Sequence, residues 1–473
     1  MNVALVNTNR IRPPIAPIGL EYVAEALHAA GHRVRLLDLC WEGDAARAVA
    51  DFFEGAEFGL AGLSLRNTDD CVYASRQSFL ADFCDLVGIV RRHSGAPVVA
   101  GGAGFSVMAE QVMALSGADY GVWGDGEFAL PELADSLAGR RDLAAVPNLV
   151  YRRDGALRRN PPSSRPLDAL PPMRRAWADN RRYFREGGQA GFETKRGCSG
   201  LCTYCADPVA KGRRVRVRPP AAVADEIEAL LGMGIDCLHT CDSEFNVPGG
   251  HAAEVCREIV RRGLGGSVRW YAYCSPAPFS RELAALMRRA GCAGIDFGAD
   301  SGSRTMLGRL GRGFGPEDIV HATQRAKAEG MAVMLDLLLG APGESKESIA
   351  ETVEIVRRAD PDRAGVSLGV RLYPGTALEA EIRGRGDDAG ITGGAGAGDP
   401  VFFLEPGIAR DVSGWMRDWT GGDPRFLFYD PSRPAENYNY NDNRRLVEAI
   451  RGGHRGAYWD ILRKLAGPGR DNG

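Results

Sequence analysis

The order in which short apolar runs alternate with amphipathic stretches constrains this chain more than any other feature. In residues 1–140 the predicted strands are Val3–Asn7, Arg33–Leu37, Gly59–Ser64, Pro97–Ala100 and Tyr120–Trp123. Helical periodicity fills the gaps, as over Leu20–Ala30 and Glu127–Leu137. Strands separated by helices pair in parallel, so this pattern predicts a Rossmann-like, doubly wound α/β sheet. A second series follows, with strands Gly191–Lys195, Cys237–Cys241, Arg269–Cys274, Gly294–Gly298, Ala332–Leu339 and Gly365–Leu372. Six strand–helix repeats predict a partial (β/α)6 barrel, whose function belongs at the carboxyl ends of its strands. The chain therefore divides into a first domain at 1–140, an Arg- and Pro-rich linker with a small hairpin at 141–189, a barrel domain at 190–383 and a C-terminal segment at 384–473. That last segment is Gly-rich up to 399 and aromatic beyond, in PAENYNYNDNRRL and HRGAYWDIL, and is expected to close on the barrel mouth.

Bulk properties exclude several classes. The net charge of -3 and the absence of a basic stripe argue against nucleic acid. No stretch has the apolar length of a membrane span, and the N-terminus lacks the layout of a signal peptide. The expectation is a soluble cytoplasmic protein, whose eleven cysteines are thiols or metal ligands and not a disulfide framework.

Three of those cysteines carry the strongest chemical signal. In KRGCSGLCTYC, Cys198, Cys202 and Cys205 are spaced CxxxCxxC in a loop after the first barrel strand. Three thiolates on a short loop can grip one face of an iron–sulfur cube and leave its fourth iron open, whereas electron-transfer cubes take four cysteines. Zinc would ask for a fourth ligand, and no histidine lies between Gly191 and Leu238. Cys237, Cys241, Cys274 and Cys292 read as packing thiols on or beside strands, so one cluster is expected.

The cysteine loop resembles that of the radical S-adenosylmethionine (SAM) superfamily, and the resemblance extends over residues 190–380. It implies that the open iron binds SAM. It implies SAM contacts from Tyr204 in the cluster loop, and from Asp242, Ser243 and Glu244 after the second strand near the SAM amino group. It implies further SAM contacts from Asp300 and Ser301 after the fourth strand near the ribose, Gly340 and Pro342 after the fifth near the adenine, and Arg371 after the sixth. Read locally, these residues could equally be helix caps or plain turns.

The first domain has no G-x-G-x-x-G turn after its first strand, which excludes a nicotinamide site; GDGEFA follows its last strand instead. The domain resembles the cobalamin-binding domain found ahead of radical SAM barrels, through PPIAPIGLEYVAEALHAAGHRVRLLD, VVAGGAGFS and the GDGE turn. The resemblance implies cobalamin contacts at Gly101, Gly102, Ala103, Gly124, Gly126 and Glu127. The DxHxxG motif that supplies a lower cobalt ligand is absent, and His28, His32 and His93 lie in or beside predicted helices. Arg66 and Asn67, at the end of the third strand, are placed to face that lower side.

Together these resemblances imply a 4Fe-4S cluster, SAM, cobalamin, a flavodoxin- or ferredoxin-type reductant and a small-molecule substrate. The implied activity is C-methylation of an unactivated carbon by way of methylcobalamin and a 5′-deoxyadenosyl radical. A cyclase, ring-contraction or rearrangement enzyme with the same cofactors stays open, as does a non-catalytic corrinoid-binding sensor or carrier. The catalytic residues proper are not legible.

Overall fold

The computed structural model describes residues 1–163, 165–428 and 440–466. The first sheet has the order β2-β1-β3-β4-β5-β6-β7. Its strands are β1 (Asn2–Asn7), β2 (Arg33–Asp38), β3 (Leu60–Ser64), β4 (Val98–Gly101), β5 (Tyr120–Val122), β6 (Leu149–Arg153) and β7 (Ala156–Arg159). The first five are parallel, and β6 and β7 form an antiparallel hairpin on the edge. The hairpin expected inside the linker therefore extends this sheet. Central β1 buries Val3, Ala4, Leu5 and Val6, the continuous apolar run of a strand covered on both faces, while β2 at the sheet edge shows partial exposure along its length. The strand order reverses between β1 and β3, which opens a crevice at their carboxyl ends.

The second sheet has the order β19-β15-β14-β13-β12-β11-β8. It comprises β8 (Ala190–Phe192), β11 (Cys237–Thr240), β12 (Arg269–Cys274), β13 (Cys292–Asp300), β14 (Ala332–Leu339), β15 (Arg363–Leu368) and β19 (Phe426–Phe428), all parallel. The six expected strands are present, and the tail contributes a seventh beside β15. The first of them is shorter than expected. After Phe192 the chain leaves the barrel, and β9 (Lys195–Arg196) pairs antiparallel with β10 (Arg216–Val217). A small sheet of β16 (Val370–Arg371), β17 (Ile391–Gly393) and β18 (Val401–Phe403) completes the strands.

The C-terminal segment reaches both ends of the barrel. The helix Tyr458–Leu465 packs on side chains near the beginnings of the barrel strands, with Trp459 against Cys237, Tyr271 and Met334. Tyr271 donates to Asp460 Oδ2 at 2.7 Å. The tail helix thus plugs the lower lumen, while β17 and β18 of the same segment lie beside Arg371 at the carboxyl ends of the strands; of the aromatic run PAENYNYNDNRRL, residues 434–439 lie outside the described ones. Among the described residues no helix is long and apolar enough to cross a membrane.

Buried ion pairs join the two domains. Glu21 and Tyr22, on the first-domain helix Ile18–Ala29, meet Arg175, Arg218 and Glu226 from the linker and barrel. Arg371 pairs with Asp69 at 2.9 Å. The carboxyl ends of both sets of strands are held facing one another.

Candidate active site

The cysteine loop sits between β9 and β10, so the small two-stranded sheet holds both of its ends. Gly197 has φ +85°, and a Cβ there would stand 2.3 Å from the Arg214 carbonyl; only glycine lets the loop leave β9 so tightly. Gly200 lies between two of the thiols. A Cβ on it would be 3.3 Å from Cys198 Sγ and 3.7 Å from Cys202 Sγ, and its N–H points to Cys198 Sγ at 3.4 Å. All three thiols are half-buried. Burial raises Cys202 and pushes Cys205 up to about 12. Among the described residues no three Cys, His, Asp or Glu side chains close around a single ion. Thiols arrayed around a bare glycine suit a multi-iron cube better than a four-coordinate zinc.

The polar residues after the strands fall into two groups. Glu244 and Asp300 face the cysteine loop. Tyr204 donates its hydroxyl to Asp300 Oδ2 at 2.7 Å, and Arg312 approaches the same oxygen at 3.2 Å and Glu244 Oε1 at 3.3 Å. Burial raises both carboxyls, against the pull of Arg312. Asp300 has φ +57° at a register shift that ends β13, which turns its side chain toward Tyr204.

The second group is engaged within the protein. Asp242 accepts from Thr194 N at 2.9 Å, Thr194 Oγ1 at 2.6 Å and Lys195 N at 3.2 Å. It ties β11 to the strand that enters the cysteine loop. Ser243 donates to Asp207. Ser301 is fully buried, with its hydroxyl 3.0 Å from Thr352 Oγ1. Gly340, at φ +98°, makes room for Leu404, and the Pro342 carbonyl accepts from Arg309. Arg371 spends its donors on Asp69 and on the Leu372 and Val401 carbonyls.

On the first-domain side, a cavity of about 370 Å³ opens at the strand-order reversal, within the size range of cofactor sites. Arg66, Gly101, Gly102, Ala103, Gly124, Gly126 and Glu127 all line it. Asn67 does not; it lines a smaller neighbouring cavity of about 170 Å³ that Arg66 also borders. The cradle depends on glycine: Gly102 has φ +101°, and a Cβ there would lie 2.4 Å from the Leu65 carbonyl. Glu127 is tied to Arg196 at 2.5 Å. His28, His32 and His93 are absent from the lining. Burial lowers Arg66, opposed by the charges of Tyr458, Cys241, Tyr273 and Tyr183. A guanidinium in this position offers hydrogen bonds without being a metal ligand.

The barrel closes the far side of the same cavity through Glu193, Arg196, Asp207, Ala210, Lys211 and Cys241. Beneath them, Tyr273 is surrounded by barrel strands yet 43% exposed, so it borders internal space. Its ring lies 4.9 Å from that of His239. Asp296 and Asp336, from β13 and β14, lie nearby, and burial together with the charge of Asp336 holds Asp296 well above the usual carboxylate range. Arg312, Lys211 and the Asp296–Asp336 pair escaped sequence reading. The basic run KGRRVRVRPP directly after the cysteines, which supplies buried Arg218, was the one available signal.

Comparison with known proteins agrees with this geometry. The radical SAM superfamily model matches residues 192–356, and the B12 binding domain model matches residues 5–134. The chain is 35% identical to a tryptophan 2-C-methyltransferase of Streptomyces laurentii over 435 residues, covering 79% of this chain and 73% of that one. Its fold matches the radical SAM methyltransferase TsrM of Kitasatospora setae with tryptophan and a SAM analogue bound, at TM-score 0.88 and 30% identity over 98% of this chain and 99% of that one. The same enzyme with cobalamin and a [4Fe-4S] cluster matches at TM-score 0.87 and 29% identity, over 98% and 97% of the two chains.

Proposed function

The chain belongs to the cobalamin-dependent radical SAM methyltransferases, and from that premise we propose that its methyl acceptor is a ring carbon of tryptophan or of a close indole relative. What supports the reading is the 35% identity to a tryptophan 2-C-methyltransferase, together with one cavity walled by the glycine cradle of the first domain and by the mouth of the barrel. When bound, the cofactors supply an electron, a methyl source and a methyl carrier. The protein supplies position and exclusion of water.

In this reading Cys198, Cys202 and Cys205 ligate the cluster, and Tyr204, Asp300 and Glu244 form its polar wall toward SAM. Gly101, Gly102 and Ala103 would seat cobalamin in the cavity they line, and Arg66, on the same cavity, would offer it hydrogen bonds where no histidine does. Asp242, Ser301 and Arg371 are framework residues, because their polar atoms are engaged with Thr194, Thr352 and Asp69. The substrate occupies the internal space below Cys241, where the rings of Tyr273 and His239 suit an aromatic face. The Asp296–Asp336 pair suits the amino group of an amino acid. A flavodoxin- or ferredoxin-type protein supplies the electron. A reducing compartment such as the cytoplasm suits eleven unpaired thiols.

The test is anaerobic turnover of the reconstituted enzyme with SAM and L-tryptophan carrying deuterium on the indole ring. The expected product gains one methyl group and loses the deuterium at the methylated carbon. Consumption of SAM with tryptophan recovered unchanged would overturn the substrate assignment.

A further inference from the structure

Arg312 lies in the connection between the helices Arg304–Arg309 and Pro316–Ala328, and its side chain is 6% exposed. Nη1 stands 2.9 Å from Cys202 Sγ. Nη2 donates to the Gly298 carbonyl at 2.6 Å and lies 3.3 Å from Glu244 Oε1, while Nε lies 3.2 Å from Asp300 Oδ2. The guanidinium is further held 4.8 Å over the ring of Phe314. Four attachments from β13, the loop after β11 and the helix connection thus aim one N–H at one sulfur. Among the described residues Cys202 is the member of the triad with a guanidinium within bonding distance.

We propose that Arg312 is a positioning residue that sets the reduction potential of the cluster through an N–H···S bond to Cys202. The proposal rests on the assignment of Cys198, Cys202 and Cys205 as cluster ligands. Reduction adds negative charge to the iron–sulfur core and its thiolates. A fixed cation and a donor on one sulfur stabilise the reduced state more than the oxidised one, so they raise the potential. Burial limits screening by solvent ions, and a guanidinium keeps its proton at every working pH. Asp300 and Glu244 oppose this partly through their charge. Their contacts with the other nitrogens also fix the fork, so the bond to sulfur stays short.

The experiment is a redox titration of the reconstituted full-length protein, followed by electron paramagnetic resonance without SAM or substrate. Arg312→Gln is expected to keep its iron and shift to a more negative midpoint. Arg312→Lys, which retains charge but not the planar fork, should fall between the two. Asp300→Asn, which removes an opposing charge and leaves the guanidinium, should shift to a more positive midpoint. A wild-type midpoint in Arg312→Gln at full iron content overturns the proposal. If Arg312→Gln fails to hold iron, the other two variants decide, and the absence of a shift in either one overturns it. Iron retained after Cys198, Cys202 and Cys205 are all changed to Ala would overturn the ligand assignment, which that control tests separately.

Discussion

Removal of the Glu226 carboxylate should destabilise the junction between the two domains more than a typical substitution. Glu226 accepts from Tyr22 Oη at 2.7 and 2.9 Å, from Arg218 Nη1 at 2.6 Å and from Arg175 Nη1 at 3.0 Å. The side chains of Arg175, Arg218 and Glu226 are 0%, 3% and 1% exposed. Glu21 offsets one guanidinium, through Arg175 Nε at 2.8 Å. In Glu226→Gln the second guanidinium keeps its burial and loses its counter-charge. Breaking a buried pair from one side costs about 3–5 kcal/mol, which is roughly two to three and a half orders of magnitude in the unfolding equilibrium. The double change Glu226→Met with Arg218→Met removes both charges and should recover most of the loss, because apolar replacement of a buried pair is close to neutral. Urea denaturation of the wild type and both variants checks this, with the first transition as the readout, since two domains need not unfold together. A loss below about 1 kcal/mol in Glu226→Gln, the range of a solvated pair, would refute the reasoning.

Gly102→Ala forces a Cβ to 2.4 Å from the Leu65 carbonyl at a left-handed φ, so cobalamin affinity should fall at least about tenfold while the far-UV spectrum is retained; unchanged affinity in equilibrium dialysis would contradict the cradle. Arg66→Ala should keep full iron content and lose about tenfold or more of methylated product, and wild-type product yield would remove Arg66 from the site. Asp296 has a folded-state pKa raised by burial and by Asp336, so the native state binds its proton more tightly than the unfolded chain, and stability falls as pH rises from the ordinary carboxylate range toward the raised value. Asp296→Asn should remove that slope, so its stability relative to wild type should increase with pH across the same window; parallel urea midpoints at every pH would show that the pair is not protonated.

The two alternating series were legible because strand and helix periodicity are local properties of a dozen residues, and β12 and β14 fall on their predicted bounds. The cysteine loop was legible for the same reason, since its three thiols lie within eight residues. Polar residues at strand ends could be located but not assigned partners. Asp242 and Asp300 read alike in sequence, yet one fastens Thr194 and the other meets Tyr204 and Arg312, because loop conformation decides which way a carboxylate turns. Arg371 is bound to a residue 302 positions away, and Arg312 reaches a sulfur 110 positions away. The tail helix enters the lower lumen because Tyr271, Cys237 and Met334 present an uncovered inner surface there, which exists only once the strands have paired. Short-range pattern and spacing were therefore enough to determine the two folds and the cluster loop. The contacts that aim Arg312 at Cys202 and hold both sets of strand ends around one cavity were decided by tertiary packing, because such contacts join residues that no local periodicity relates.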